Sequence, residues 1–173
     1  QELEFRTWGG RRARAGRKHR SDETIPHLRR PALDPRHPVH VTMRLRRDVW
    51  QLRTRRCFRK IEAALIALRK REGIGVVHYS VLGNHVHLIV EAADRRSLAC
   101  GLQALSIRIA KGLNQVMHRR GRVFHERYHE HVLKTPFEVH RAIGYVLCNY
   151  ARHAAEWGRP VANVIDAYSS GAV

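Results

Sequence analysis

Leu82-Gly83-Asn84-His85-Val86-His87-Leu88-Ile89-Val90-Glu91 is the stretch on which the reading of this sequence turns. From His85 onward the residues alternate, so an extended chain sends Val86, Leu88 and Val90 to one face and His85, His87 and Ile89 to the other. The first face is core material. The second presents two imidazoles side by side, where they can hold a divalent cation without disturbing the packing layer. Two histidines on a solvated sheet face are the plainer alternative, and the rest of the chain must decide between them.

Working outward, Gly83-Asn84 forms a tight turn, and Val76 to Leu82 reads as the strand that pairs with the histidine strand in a hairpin. Further upstream, Val39, Val41, Met43 and Leu45 alternate with His40, Thr42, Arg44 and Arg46, the pattern of a half-buried strand. Between these strands, Phe58, Ile61, Leu65 and Leu68 make one apolar stripe, predicting a helix from about Thr54 to Glu72 that Gly73 and Gly75 stop. Downstream, Asp94 is placed to cap a helix from Arg95 to His118 whose stripe is Leu98, Leu102, Leu105, Ile109, Leu113 and Val116. The segment from Val123 to Leu133 is expected to contain a fourth strand, and Thr135-Pro136 opens a final helix to about Glu156. The predicted fold is α+β, a ferredoxin-like βαββαβ sandwich with an additional C-terminal helix.

The chain has 173 residues, with 33 Lys and Arg against 15 Asp and Glu and a sequence pI near 11.3. Such an excess predicts a polyanionic partner, and nucleic acid is the expected one. From Arg6 to Arg20 seven basic residues and no acid are interleaved with glycines, and a run bearing Pro26, Pro31, Pro35 and Pro38 follows. Residues 1–37 are therefore expected to be a flexible basic arm, with Arg11, Arg12, Arg14, Arg17 and Lys18 as DNA contacts and Trp8 able to stack on an unpaired base. Residues 38–157 form the predicted domain and 158–173 a tail. Cys57, Cys100 and Cys148 are odd in number and sit in apolar helical patterns, which suits thiols better than disulfides. No apolar run is long enough to span a membrane and no hydrophobic signal core is visible, so no membrane partner and a cytoplasmic location are expected. Because the sequence opens on Gln1, the native start is expected to lie upstream.

The final helix changes the balance. On a helical wheel Val139, Ile143, Val146, Leu147 and Tyr150 make the expected packing face, which leaves Tyr145 off it, with Asn149 one turn on and Arg141 and Arg152 flanking. Cations beside a phenol favour the phenolate and hold a phosphate nearby, as a tyrosine nucleophile of phosphoryl transfer needs.

Three blocks carry a resemblance: Leu82-Gly83-Asn84-His85-Val86-His87-Leu88-Ile89-Val90, then Val123-Phe124-His125-Glu126-Arg127-Tyr128-His129, then Tyr145-Val146-Leu147-Cys148-Asn149. In this order they resemble the single-tyrosine HUH transposases, and among them the REP-associated tyrosine transposases, over about Pro38 to Glu156. The resemblance implies a DNA-binding transposase that cleaves and rejoins single-stranded, hairpin-associated DNA. His85 and His87 would be metal ligands, Asn149 the third ligand, Tyr145 the nucleophile that forms a 5′-phosphotyrosine bond, and Mg²⁺ or Mn²⁺ the cofactor. The sequence departs from the pattern at Gly83, where relatives commonly have Pro, and at Tyr150, where relatives often end the helix with Pro. His40 and His153 are substitutes for the third ligand.

Other residues have plainer readings. His129 and His131 form a second His-x-His on a polar strand face, and Tyr128 is the rival nucleophile. Arg119, Arg120 and Arg122 are either a solvated turn or a clamp on the DNA backbone. Trp50 and Trp157 read as packing residues. Two further function classes stay open: a domesticated module that recognises hairpin DNA without catalysis, and an RNA-binding sheet, against which the histidine strand's lack of stacking aromatics speaks. The spacing also leaves open whether Tyr145 meets its own histidines or those of a second copy in a homodimer.

Overall fold

A computed structural model describes residues 30–49, 51–156, 158 and 166–172. The expected contacts Arg11, Arg12, Arg14, Arg17 and Lys18, together with Trp8, Trp50 and Trp157, lie outside the described residues. Four strands and three helices follow one another as β1 (Val39–Arg44), α1 (Arg55–Leu68), β2 (Ile74–Val81), β3 (His85–Ala92), α2 (Arg95–Val116), β4 (His129–Val132) and α3 (Pro136–Glu156).

The sheet is antiparallel in the order β2-β3-β1-β4, so each helix crossover skips one strand, as the predicted βαββαβ plan requires. Strand alternation then sorts the two faces. Val86, Leu88 and Val90 join Val39, Val41 and Met43 in the main core, which α1 and α2 close with Ile61, Leu65 and the fully buried Leu98, Leu102, Leu105, Ile109 and Leu113. Ile89 points the other way, into a smaller cluster with Leu133, Ala142 and Val146 under α3. His85 and His87 share the parity of Ile89, so the face expected to carry imidazoles is the one that the final helix covers.

Several boundaries move for local reasons. α1 stops at Leu68 because Arg69, Lys70, Arg71 and Glu72 are all exposed and offer no side chain to the core. Gly73 then takes φ 74°, a left-handed turn in which a Cβ would also approach Ser97 Oγ to 3.0 Å, and β2 starts at Ile74. Of the segment from Val123 to Leu133, only His129–Val132 is a strand, while Phe124 makes an isolated bridge to Leu45. The β2–β3 turn forms as expected, but neither Gly83 nor Asn84 has positive φ. Its geometry is held from outside: the Leu52 and Leu45 N–H groups donate to the Gly83 and Asn84 carbonyls, both at 2.9 Å.

The packing face of α3 keeps Val139, Ile143 and Val146 of the expected face and changes beyond them. Ala142, Val146, Asn149 and Ala154 are buried, while Leu147 and Tyr150 are only half-buried. A wheel that scores Asn as polar cannot place it inward.

The described residues of both flanking segments are docked on the domain. From Arg30 on, the stretch expected to belong to the arm is docked: Leu33 is buried, and Arg30 donates to Glu130 and to the Tyr128 carbonyl, each at 2.6 Å, with its guanidinium 4.0 Å over the Tyr128 ring. Arg95 donates to the other Glu130 oxygen at 2.7 Å and to the Pro31 carbonyl at 2.9 Å. The cause is this one acid, 12 % exposed and shared by two arginines. Replacing it, Glu130→Ala, leaves two part-buried guanidinium groups without an anion. The expected loss is about 2–3 kcal/mol in urea unfolding, with faster amide exchange along the strand beside Arg30. At the other end, Ser169 bridges Ser80 of β2, and the Val81 N–H donates to the Tyr168 carbonyl at 2.9 Å. Among the described residues no helix is long and apolar enough to cross a membrane.

Candidate active site

Register places the polar residues of this face together. Antiparallel pairing sets Thr42 opposite His87 and Arg44 opposite His85 on the β1 side, and Ser80 opposite His87 on the β2 side. His87 is thus at the centre of the sheet with neighbours on both flanks. Its Nδ1 lies 3.1 Å from both His40 Nε2 and Thr42 Oγ1, and the His40 and His87 rings stack with centroids 5.2 Å apart. His85 stands edge-on to His87 at 4.7 Å and has its Nδ1 2.6 Å from Asn84 Oδ1. An Nδ1–H donated to that amide oxygen leaves the Nε2 lone pair of His85 available.

α3 supplies the opposite wall. Tyr145, Asn149 and His153 are spaced four residues apart and so share one side of the helix, the side on which Tyr145 meets the histidines. The Tyr145 ring stands edge-on to His87 at 5.3 Å and to His40 at 5.8 Å, yet the residue remains 39 % exposed. Tyrosine therefore covers the imidazoles while its side chain stays open to a large ligand. Asn149 is 1 % exposed, and neither its Oδ1 nor its Nδ2 has a hydrogen-bond partner; the same holds for His87 Nε2 and Ser80 Oγ. Buried amides and imidazoles normally find partners, because an unmade bond costs about 1–3 kcal/mol. Two such atoms on the sheet and two on the helix that covers it are the pattern of a site that takes up something else.

The electrostatics fit that pattern. Burial pushes the His87 pKa down to about 3, with the charges of His85, His40 and His153 adding to the effect. Burial likewise lowers His85 to about 4, His153 and Arg44 contributing, and lowers His40, with His131 contributing. The imidazoles are held neutral, the form that binds metal. Among the described residues no group of three or more His, Cys, Asp or Glu is placed to hold a metal ion. A cation here would have to use His85, His87 and an amide, and the unpartnered His87 Nε2 and Asn149 Oδ1 suit that set.

The remaining predicted residues divide. Arg120 and Arg122 are exposed, whereas Arg119 is tied to Asp48 at 2.8 Å and to the Arg122 carbonyl at 3.3 Å, so it shapes the turn after α2. Arg141 is exposed beside Phe137, its guanidinium 5.7 Å from the ring, and Arg152 is exposed on the last turns of α3. The rival Tyr128 is under the Arg30 guanidinium, and burial raises its pKa, so it is a packing tyrosine. His129 and His131 lean toward Glu126 at 3.2 Å and Glu138 at 3.9 Å, on the far strand β4. Cys57 is buried and Cys100 and Cys148 are exposed; all three are free thiols.

Two contributors escaped the sequence reading. Thr42 was visible as a polar position on β1, but only the pairing register brings it to His87. Arg53 carried no signal: its guanidinium lies 3.5 Å over Tyr150 of α3, donates to the Val81 carbonyl at 2.9 Å, and bonds both oxygens of Asp166 at 2.7 and 2.9 Å. It joins the residue after Asn149 to the strand end that enters the histidine hairpin.

No protein-family model and no curated protein matches the sequence. Solved structures do. One is a REP-associated tyrosine transposase bound to a REP hairpin, at 19 % identity and TM-score 0.59, covering 75 % of this chain and 74 % of that one. Another is a transposase structure from Deinococcus radiodurans R1, at 14 % identity and TM-score 0.47, covering 80 % of this chain and 99 % of that one. The first likeness shows the fold: the described domain has the architecture of the REP-associated tyrosine transposase.

Proposed function

We propose that this protein is a DNA-processing enzyme of the transposase type, which cuts and rejoins single-stranded DNA beside a hairpin through Tyr145. The observation that carries this reading is the Tyr145 ring standing 5.3 Å from His87 on its own chain, over a buried face with unpartnered His87 and Asn149 atoms. The fold agrees, since the similar REP-associated tyrosine transposase was solved with a REP hairpin. So does the excess of basic over acidic residues.

In this scheme the Tyr145 hydroxyl oxygen attacks the scissile phosphorus. The new O–P bond forms as the P–O3′ bond breaks, the 3′-oxygen leaves and takes up a proton, and the 5′ side of the cut stays on the tyrosine. Attack by a 3′-hydroxyl reverses the step and joins ends. His85, His87 and Asn149 would hold a divalent ion, and Mg²⁺ or Mn²⁺ bound there supplies charge neutralisation at the phosphate oxygens. His40 and Thr42 orient the His87 ring through its Nδ1, which keeps Nε2 aimed away from them. Imidazole donors are soft for Mg²⁺, so Mn²⁺ is expected to support activity at lower concentration.

The test is covalent capture. Incubation with Mn²⁺ and single-stranded hairpin oligonucleotides of varied flanks is expected to give an SDS-resistant protein–DNA adduct that maps to the Tyr145 peptide. The sparse ligand set favours one other reading, a module that binds hairpin DNA without cutting it. Tight binding with no adduct on any bound hairpin decides for that module.

A further inference from the structure

Asn149 sets a problem that its use as a ligand does not solve. A primary amide has an acceptor end and a donor end. With Oδ1 turned to an ion beside His87 Nε2, the Nδ2 end is a buried donor that still has no partner. Native sites rarely leave such a donor unpaired, because the desolvation of its N–H is then unrecovered.

Strand register brings one acceptor to this place. Ser80 of β2 is directly opposite His87, so their side chains share the face that α3 covers. The Arg53 guanidinium fixes where α3 crosses, since it lies 3.5 Å over the Tyr150 ring and donates to the Val81 carbonyl at 2.9 Å. The residue after Asn149 is thereby held to the residue after Ser80. One turn before Asn149, the Tyr145 ring stands against His87. Asn149 lies between these two anchors, over the His87 and Ser80 pair. Among the described residues the buried side-chain acceptors without a partner are Ser80 Oγ, His87 Nε2, Asn149 Oδ1 and Asn114 Oδ1. Asn114 is on α2, which covers the opposite face of the sheet, and the His87 and Asn149 atoms are the ones turned to the ion. Ser80, 0 % exposed, is what remains for Nδ2.

We infer that Ser80 is a positioning residue of the histidine face: its hydroxyl accepts from Asn149 Nδ2 when Oδ1 is engaged, which keeps the acceptor end of the amide toward His87. The inference rests on the reading of His85, His87 and Asn149 as ligands of a divalent ion. Ser80 touches neither ion nor DNA in this role. Both atoms are unpartnered in the structure, so the bond belongs to the engaged state. Ser80→Ala then removes a hydroxyl that the metal-free fold does not use, and the urea midpoint of the metal-free protein should be unchanged or slightly higher. Mn²⁺ binding by the intact chain without DNA is followed by the EPR signal of the free ion, with His85→Ala marking the binding that belongs to the site. Ser80→Ala is expected to weaken that binding on the order of tenfold. Asn149→Asp puts two acceptors and no donor at the position, so in that background Ser80→Ala should change Mn²⁺ affinity by less than about twofold. Unchanged binding in the single variant, the same loss in both backgrounds, or a lowered urea midpoint of metal-free Ser80→Ala overturns the assignment. So does wild-type protein that shows no His85-dependent Mn²⁺ binding. If the coupling is found while no Tyr145 adduct forms, Ser80 keeps its role and the cleavage scheme fails; an adduct whose Mn²⁺ requirement is unaltered by Ser80→Ala gives the converse.

Discussion

Tyr145→Phe is expected to lower adduct formation on a cognate hairpin by on the order of a thousandfold or more, while hairpin affinity stays within about twofold. The change deletes one oxygen and keeps the ring, and it is the ring that stands against His87 and His40. With the residue 39 % exposed, fold stability should move by no more than about 0.5 kcal/mol. Loss of activity therefore cannot be ascribed to collapse of α3 over the sheet. Adducts persisting at wild-type level in gel assays would mean that another nucleophile is used, and the half-buried Tyr128 under Arg30 offers no open approach for one.

Acidification should unfold the metal-free protein earlier than its carboxylates alone would. The pKa of His87 is about 3 in the fold and near 6.5 when unfolded. Above pH 6.5 both states are neutral and the group adds no pH dependence. Below it the unfolded chain binds a proton that the folded chain refuses, so stability falls as pH drops toward the folded value. By pH 4.5 this residue alone accounts for roughly 2–3 kcal/mol, with His85 and His40 acting in the same direction. The carboxylates whose pKa values are lowered, Asp34, Asp48, Asp94 and Glu138, lose their contributions only below about pH 4.5, so most of the histidine window lies above theirs. In urea titrations across pH, His87→Gln should show a clearly shallower decline between pH 6.5 and 4.5. An unchanged slope would mean that the imidazole is solvated and the site open to water.

Periodicity carries what is legible in the sequence. The two-residue period of Val39 to Leu45 and of His85 to Glu91, against the helical stripes ending at Leu68 and Val116, was enough for the element order and for the sheet's division into two faces. The rest depends on quantities that spacing does not carry. Which side chain meets His87 is set by strand register, so the place of Thr42 is not legible in spacing. On α3 Val139, Ile143 and Val146 pack as a helical wheel predicts, but the buried face extends to Asn149, which is polar by composition and yet 1 % exposed. The Arg53 and Asp166 pair joins positions 113 residues apart and leaves no local trace. Flank composition likewise hid the docking of residues 30–37, which one acid, Glu130, accomplishes.

The short segment at 166–172 has a consequence outside the chemistry. β2 is a terminal strand of the sheet, and an uncovered strand border is a template on which foreign chains can build. Here the Val81 N–H is already spent on the Tyr168 carbonyl, the Tyr79 N–H on the Ser170 hydroxyl at 3.1 Å, and Ser80 is bridged by Ser169. The chain covers the last three residues of its own border, which guards a strongly basic, sheet-bearing protein against strand addition at that end.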